Sequence, residues 1–171
     1  MGLRKVLIVA RKVFYSFHYD KDVHRVQQVL NMGVIQDAPP LDHSEWEKLQ
    51  KVGEGAIKKW INEQMSTVDC LVVLIGEETA KRPWVRYEIN HAWTSGKAII
   101  GIHIHSLKNL AGQIGNKGSN PFSGYTVKIN GVSVSMVSVI QVYDPPEAYA
   151  YNAIYNGISG LVNTAINTKK N

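Results

Sequence analysis

Glu88 is the carboxylate whose spacing suggests chemistry. It lies in Trp84-Val85-Arg86-Tyr87-Glu88-Ile89. On a helix, Trp84, Glu88 and Ala92 stand four apart and share one face. A carboxylate among apolar neighbours is poorly hydrated, and poor hydration raises its pKa. In that setting it can hold a ribose hydroxyl or face a developing oxocarbenium ion. The plainer alternative pairs Glu88 with Arg86 or Arg82 at the helix start. A second cluster is Ser16-Phe17-His18-Tyr19-Asp20, which offers a hydroxyl, two aromatic rings, an imidazole and a carboxylate. Its plainer alternative is a strand end followed by an Asp helix cap.

Both clusters need elements to position them. Val13–Phe17 reads as a strand, being β-branched and aromatic. Asp20 reads as the N-cap of a helix over about 21–31, with Val23, Val26 and Leu30 at helical spacing. Val34-Ile35 suggests a very short strand. One long helix opens at Asp42-His43-Ser44-Glu45 and carries Trp46, Leu49, Ala56, Trp60 and Met65 near one face, weakened locally by Gly53 and Gly55. Val68–Ile75 and Ala98–Ile104 are nearly continuous apolar runs, as strands buried on both faces read. Between them, Pro83 suits the first turn of a helix that Gly96 ends. A Gly-rich loop over 105–123 leads to a hairpin about Asn130-Gly131. Val137–Tyr143 reads as the last strand. Asp144-Pro145-Pro146 caps a final helix with Tyr151, Ile154, Ile158, Leu161 and Ala165 as its packing stripe.

Strands alternating with helices imply an α/β fold with a mostly parallel sheet covered on both faces. The expected arrangement is flavodoxin-like, with five strands in the order 2-1-3-4-5. In such sheets ligands lie beyond the carboxyl ends of the strands, at the switch point. Here that places a ligand at the loops after Phe17 and Ile75.

Composition excludes several classes. The chain has 171 residues, with 19 Lys and Arg against 14 Asp and Glu, a net charge of +5. The basic residues are scattered, with no run longer than a pair, so no nucleic-acid partner is expected. No apolar stretch approaches the ~18 residues of a membrane span. The single cysteine, Cys70, excludes an internal disulfide framework, and its place in an apolar strand suits the core. Six histidines are present. His103 and His105 share a strand face, but no H-x3-H pair or H-E-x-x-H motif occurs, so no metal is expected. Residues 1–10 read as a short N-terminal extension that is too brief and too basic at its end for a secretory signal. A cytoplasmic protein is expected. No G-x-G-x-x-G, P-loop or G-x-S-x-G motif is present.

Three segments carry a resemblance to a known family. They are Arg11-Lys12-Val13-Phe14-Tyr15-Ser16-Phe17-His18-Tyr19 with Arg25 beyond it, Ser44-Glu45-Trp46-Glu47 leading to Ile57-Lys58-Lys59-Trp60-Ile61, and Leu74-Ile75-Gly76 with Thr79 and the 84–89 segment. Lys97–His103 and Lys117-Gly118-Ser119-Asn120-Pro121-Phe122 also fit. In this order they resemble the TIR-like domains of the MTH538 class, found as the B component of the Thoeris antiphage system. The likeness covers roughly residues 11–125, and the remainder only by layout. It implies that residues 11–171 form a single TIR-like domain. It also implies cleavage of NAD⁺ between nicotinamide and ribose, and a cyclic ADP-ribose isomer that activates a separate effector protein as a diffusible signal.

The resemblance places the catalytic glutamate on Glu88. It places the pocket wall on Ser16, Phe17, His18 and Tyr19, and the loop near the pocket on Ser44 and Trp46. Trp84, Arg86 and Tyr87 accompany the glutamate. Aromatic rings among Phe17, Tyr19 and Trp46 suit stacking on nicotinamide or adenine, and Arg25 or Arg86 suits the pyrophosphate. NAD⁺ is the substrate, with no further cofactor. A homo-oligomer is compatible with this pattern. The competing reading is a TIR-type scaffold without turnover. A phospho-receiver fits poorly, because the strand ending Leu74-Ile75-Gly76 lacks the required Asp. A flavin domain would be yellow.

Overall fold

The run Cys70-Leu71-Val72-Val73-Leu74-Ile75 is buried along its whole length. It forms β3 (Cys70–Ile75), the centre of the sheet in a computed structural model that describes residues 11–169. The expected extension, residues 1–10, lies outside the described residues. Around β3 stand β1 (Lys12–Ser16), α1 (Tyr19–Leu30), β2 (Gln36–Asp37), α2 (His43–Val52), α3 (Glu54–Ser66), α4 (Pro83–Thr94) and β4 (Ala98–His103). The chain continues through β5 (Thr126–Ile129), β6 (Val132–Ser135), β7 (Val142–Tyr143) and α5 (Ala150–Lys169).

Five strands form one parallel sheet in the order β2-β1-β3-β4-β7. β5 and β6 pair only with each other, as an antiparallel hairpin outside this sheet. Counting sheet strands alone, the order is therefore the expected 2-1-3-4-5. Successive side chains of a strand point to opposite faces. Cys70, Val72 and Leu74 accordingly pack with Val26 and Val29 of α1 and with Ile154, Ile158 and Val162 of α5. Leu71, Val73 and Ile75 pack with Ile57, Ile61 and Met65 of α3 and with Val85 and Ile89 of α4. Each such side chain stabilises the fold by about 1.5–3 kcal/mol.

Several boundaries differ from expectation, each for a local reason. α1 starts at Tyr19 with His18 as its N-cap, so Asp20 lies inside the first turn and is not the cap. β2 is Gln36–Asp37, not Val34-Ile35. The short edge strand is set by its backbone register to Lys12 and Val13, while Val34 and Ile35 turn into the core. The single long helix is two. Gly53 sits at φ 127°, ψ 177°, ending α2 and starting α3. Only glycine adopts that conformation readily. The last strand shrinks to Val142–Tyr143, because Met136–Ser138 winds into a 3₁₀ turn. Tyr151 is exposed and stacks on Tyr155, and the buried stripe of α5 is Ala150, Ile154, Ile158, Val162 and Ile166. The hairpin turn agrees with expectation: Asn130 and Gly131 both take positive φ, 50° and 79°.

Candidate active site

β1 and β3 are sheet neighbours, and α4 follows β3 after a seven-residue connection over 76–82. This topology brings the carboxyl end of β1 against the start of α4. Ser16 closes β1 and is 1% exposed, while Glu88 lies in the second turn of α4 and is 9% exposed. The Ser16 hydroxyl donates a hydrogen bond to Oε2 of Glu88. Among the described residues no arginine pairs with Glu88. Arg82 binds Glu78 at 3.1 Å, and Arg86 donates to the Ala80 carbonyl at 3.3 Å. Burial raises the Glu88 pKa to about 8, only partly opposed by the Ser16 hydrogen bond.

Glu88 opens onto a cavity of about 310 Å³. Its walls come from the first turn of α1, the 38–41 segment, α2 and α3, and the start of α4. Aromatic rings dominate them. Phe17 stacks on Tyr19 with centroids 6.2 Å apart, and Trp46 meets Trp84 edge-on at 6.4 Å. Trp60 and Pro40 complete the apolar lining. The polar wall carries His18, Asp20, Gln50 and Arg82. Burial, then Arg82, holds His18 below the usual imidazole range, so it is neutral at pH 7. The cavity suits a flat ring and a sugar held against one desolvated carboxyl group.

Of the residues singled out in the sequence, Phe17, His18, Tyr19, Trp46, Trp84 and Glu88 line this cavity, and Ser16 stands behind Glu88. Four others do not line it. Arg25 braces the long loop, its Nε donating to the Leu107 carbonyl at 2.7 Å and its Nη2 to the Gln113 carbonyl at 3.1 Å. Ser44 is exposed in the first turn of α2. Arg86 is exposed, with its guanidinium on Ala80. Tyr87 ties α4 to α3 through a 2.8 Å hydrogen bond to Oδ1 of Asn62. Sequence reasoning passed over Arg82, Gln50 and Trp60 as wall residues. Arg82 had one signal, its place immediately before the Pro that opens α4, and that position reads first as a helix boundary.

Among the described residues no three His, Cys, Asp or Glu side chains are grouped so as to hold a metal ion. No described helix is long and apolar enough to cross a membrane. Cys70 is buried in β3, with its thiol pushed up to about 12 by desolvation.

Comparison with known proteins bears on the same stretch of chain. A family model described as "Thoeris protein ThsB, TIR-like domain" matches residues 14–109. A protein of Bacillus cereus (strain MSX-D12) named "Putative cyclic ADP-D-ribose synthase ThsB1" is 40% identical over 130 residues, covering 72% of this chain and 68% of that one. The span matched by the family model contains β3, β4, α1 to α4, and every residue of the cavity wall. The chain belongs to the ThsB TIR-like domain family of Thoeris proteins.

Proposed function

We propose that this protein cleaves NAD⁺ between nicotinamide and ribose and closes the remaining ADP-ribose into a cyclic signal. That signal reaches a separate effector by diffusion, within antiphage defence of the Thoeris type. The observation that carries this reading is the buried Glu88 carboxyl group, fixed by Ser16 at the edge of an aromatic cavity. The relative's printed name points to the same product class.

The chemistry follows from charge. The bond from ribose C1′ to the nicotinamide nitrogen breaks, and both electrons leave with neutral nicotinamide. Positive charge then develops on the ribose. A carboxylate in a water-poor site stabilises that charge more strongly than it would in water. In the free protein Glu88 keeps its proton at pH 7, because burial penalises the anion. The cationic nicotinamide ring entering the cavity favours the anion, so binding and deprotonation are coupled. Stacking on Phe17, Tyr19 or Trp46 would hold the flat rings. A nucleophile within the ADP-ribose itself, a base nitrogen or a ribose hydroxyl, then forms the new bond to C1′ and loses a proton. Exclusion of water favours this closure over hydrolysis.

The test is incubation of purified parent and Glu88→Gln with NAD⁺, followed by chromatography with mass detection. Nicotinamide together with a product at the ADP-ribose mass less one water, from the parent only, is the expected result. Full turnover by Glu88→Gln would overturn the site. Plain ADP-ribose as sole product would overturn the cyclase. No turnover in buffer or in lysate of phage-infected cells would overturn the enzymatic reading.

A further inference from the structure

Two helix N-termini converge on the cavity. α1 begins at Tyr19 and α4 at Pro83, each is 12 residues long, and neither has a side-chain cap. The cavity wall takes His18, Tyr19 and Asp20 from the first and Arg82, Pro83, Trp84 and Val85 from the second. Such ends present unpaired backbone N–H groups and the positive pole of the helix dipole. In α1 these are the first N–H groups ahead of Asp22, whose own N–H already bonds the His18 carbonyl at 3.3 Å. In α4 they are those of Trp84 and Val85, since Pro83 has none.

Three side chains at these ends, His18, Asp22 and Arg82, have a buried polar atom without a partner, and two of them can donate to an anion. His18 is 7% exposed, and its Nδ1 is buried without a partner. Nε of Arg82 is likewise buried and unpartnered. The guanidinium is held in place by its 3.1 Å bond to Glu78, which Lys21 also engages at 3.3 Å. Unpartnered buried polar groups cost free energy unless a ligand satisfies them. Three acidic side chains stand near these ends: Asp20 is exposed to solvent, Glu78 is paired with Arg82 and Lys21, and Asp22 is buried close to His18, where desolvation raises its carboxyl pKa.

We infer that the gap between the N-termini of α1 and α4 is an anion subsite, in which Arg82 and His18 grip the diphosphate of the dinucleotide. The inference rests on the NAD⁺ reading above and adds to it the place where the phosphates bind. It reassigns the phosphate contact from Arg25 and Arg86, both of which face elsewhere. It also orients the substrate. Arg82 precedes α4 and Glu88 lies in the second turn of the same helix, so the diphosphate and the scissile ribose are read by one rigid element. A helix N-terminus with an arginine fork suits a phosphate pair.

The test is calorimetric titration with ADP-ribose, which keeps the diphosphate, and with adenosine, which lacks it. The proteins are the parent, Arg82→Gln, Arg82→Lys and the hairpin control Lys128→Gln. Arg82→Gln should weaken ADP-ribose binding roughly 10- to 100-fold and leave adenosine unchanged. Arg82→Lys keeps the charge and should recover part of the loss, Lys128→Gln should behave as the parent, and unchanged adenosine binding separates a lost phosphate contact from a structural defect. Thermal melting confirms that each variant is folded. Unchanged ADP-ribose affinity in Arg82→Gln, or equal losses for both ligands, would overturn the subsite. A KM for NAD⁺ that ignores Arg82 in an enzyme that turns over would overturn the subsite and leave the NADase reading standing. Arg82-dependent ADP-ribose binding without any turnover would do the reverse.

Discussion

The hydroxyl of Ser16 donates to Oε2 of Glu88, joining the end of β1 to the second turn of α4 across 72 residues of sequence. The bond fixes the carboxyl rotamer where the ribose is expected to lie. Glu88→Gln keeps the volume and removes the charge. It should fold normally and reduce nicotinamide release by at least ~10³-fold, the scale of losing a preorganised electrostatic group. Ser16→Ala should cost less, about 10-fold in kcat, because the carboxyl remains but is no longer held. Nicotinamide release measured for both variants checks the ranking, and a larger loss in Ser16→Ala would contradict it.

The pH profile follows from the same pair. Glu88 is pushed up to about 8 by burial, with Ser16 opposing. On the proposed mechanism the free protein must lose this proton before it acts, so kcat/KM should rise with pH and level off above about 8. In the complex the cationic nicotinamide ring favours the anion, so the kcat profile should level off at lower pH. Ser16→Ala removes the opposing bond and should move the kcat/KM midpoint upward. A profile that falls between pH 6 and 8 would contradict the assignment.

Stability carries the complementary sign. An unfolded Glu titrates near 4.5, the folded Glu88 near 8. Between those values the folded protein holds a proton that the unfolded chain has released. The associated stability is fully present below about 4.5 and is lost as pH rises through 8. At about 1.4 kcal/mol per pKa unit the loss is on the order of a few kcal/mol. Glu88→Gln has no such proton. Thermal melts at pH 5 and pH 9 should therefore show the parent losing ground to the variant at the higher pH.

How much of this was legible in the sequence depends on what fixes each feature. β1, β3 and β4 are legible because burial on both faces demands unbroken apolar runs. The Asn130-Gly131 turn is legible because its backbone needs positive φ. Gly53 and Gly55 marked a weak point in the expected long helix but not a break, because Trp46, Leu49 and Trp60 pack against the same core on both sides of Gly53. A glycine's φ of 127° leaves no mark in that stripe. β2 was displaced because edge-strand pairing is a backbone matter, and Gln36 and Asp37 do not announce it. In the cavity, the aromatic residues and Glu88 stood out by type. Arg82 was obscured because three arginines of similar type were available, and only tertiary contacts turn Arg25 and Arg86 away.

The aromatic wall gives a prediction about binding. Trp46 comes from α2 and meets Trp84 of α4 edge-on at 6.4 Å, so it covers the cavity from a separate element. It is half-buried and belongs to no backbone hydrogen-bond constraint other than its helix. Trp46→Ala should raise the KM for NAD⁺ about 10-fold through lost stacking, with a smaller change in kcat. Trp46→Phe should recover most of it. Steady-state kinetics on the three proteins separates stacking from simple collapse of the cavity, since collapse would lower kcat with equal force.

The loop that crosses the carboxyl end of β3 is held by close backbone approach. A Cβ on Gly118 would overlap the carbonyl oxygen of Gly76, and one on Gly76 would overlap the Asp22 carboxylate. Lys117 beside it is clamped to Asp144 at 2.6 Å. Gly118→Ala must therefore displace the loop, at about 2–3 kcal/mol on the scale of overpacking. In a chain of this size that lowers Tm by roughly 5–10 °C. Gly160 lies in the middle of α5, is exposed, and a Cβ there meets nothing within 4 Å. Gly160→Ala relieves the helix penalty of glycine and should raise stability by about 0.5–1 kcal/mol. Thermal melts of the two variants should move in opposite directions. If Gly118→Ala melts with the parent, the loop does not pack on Gly76 in solution.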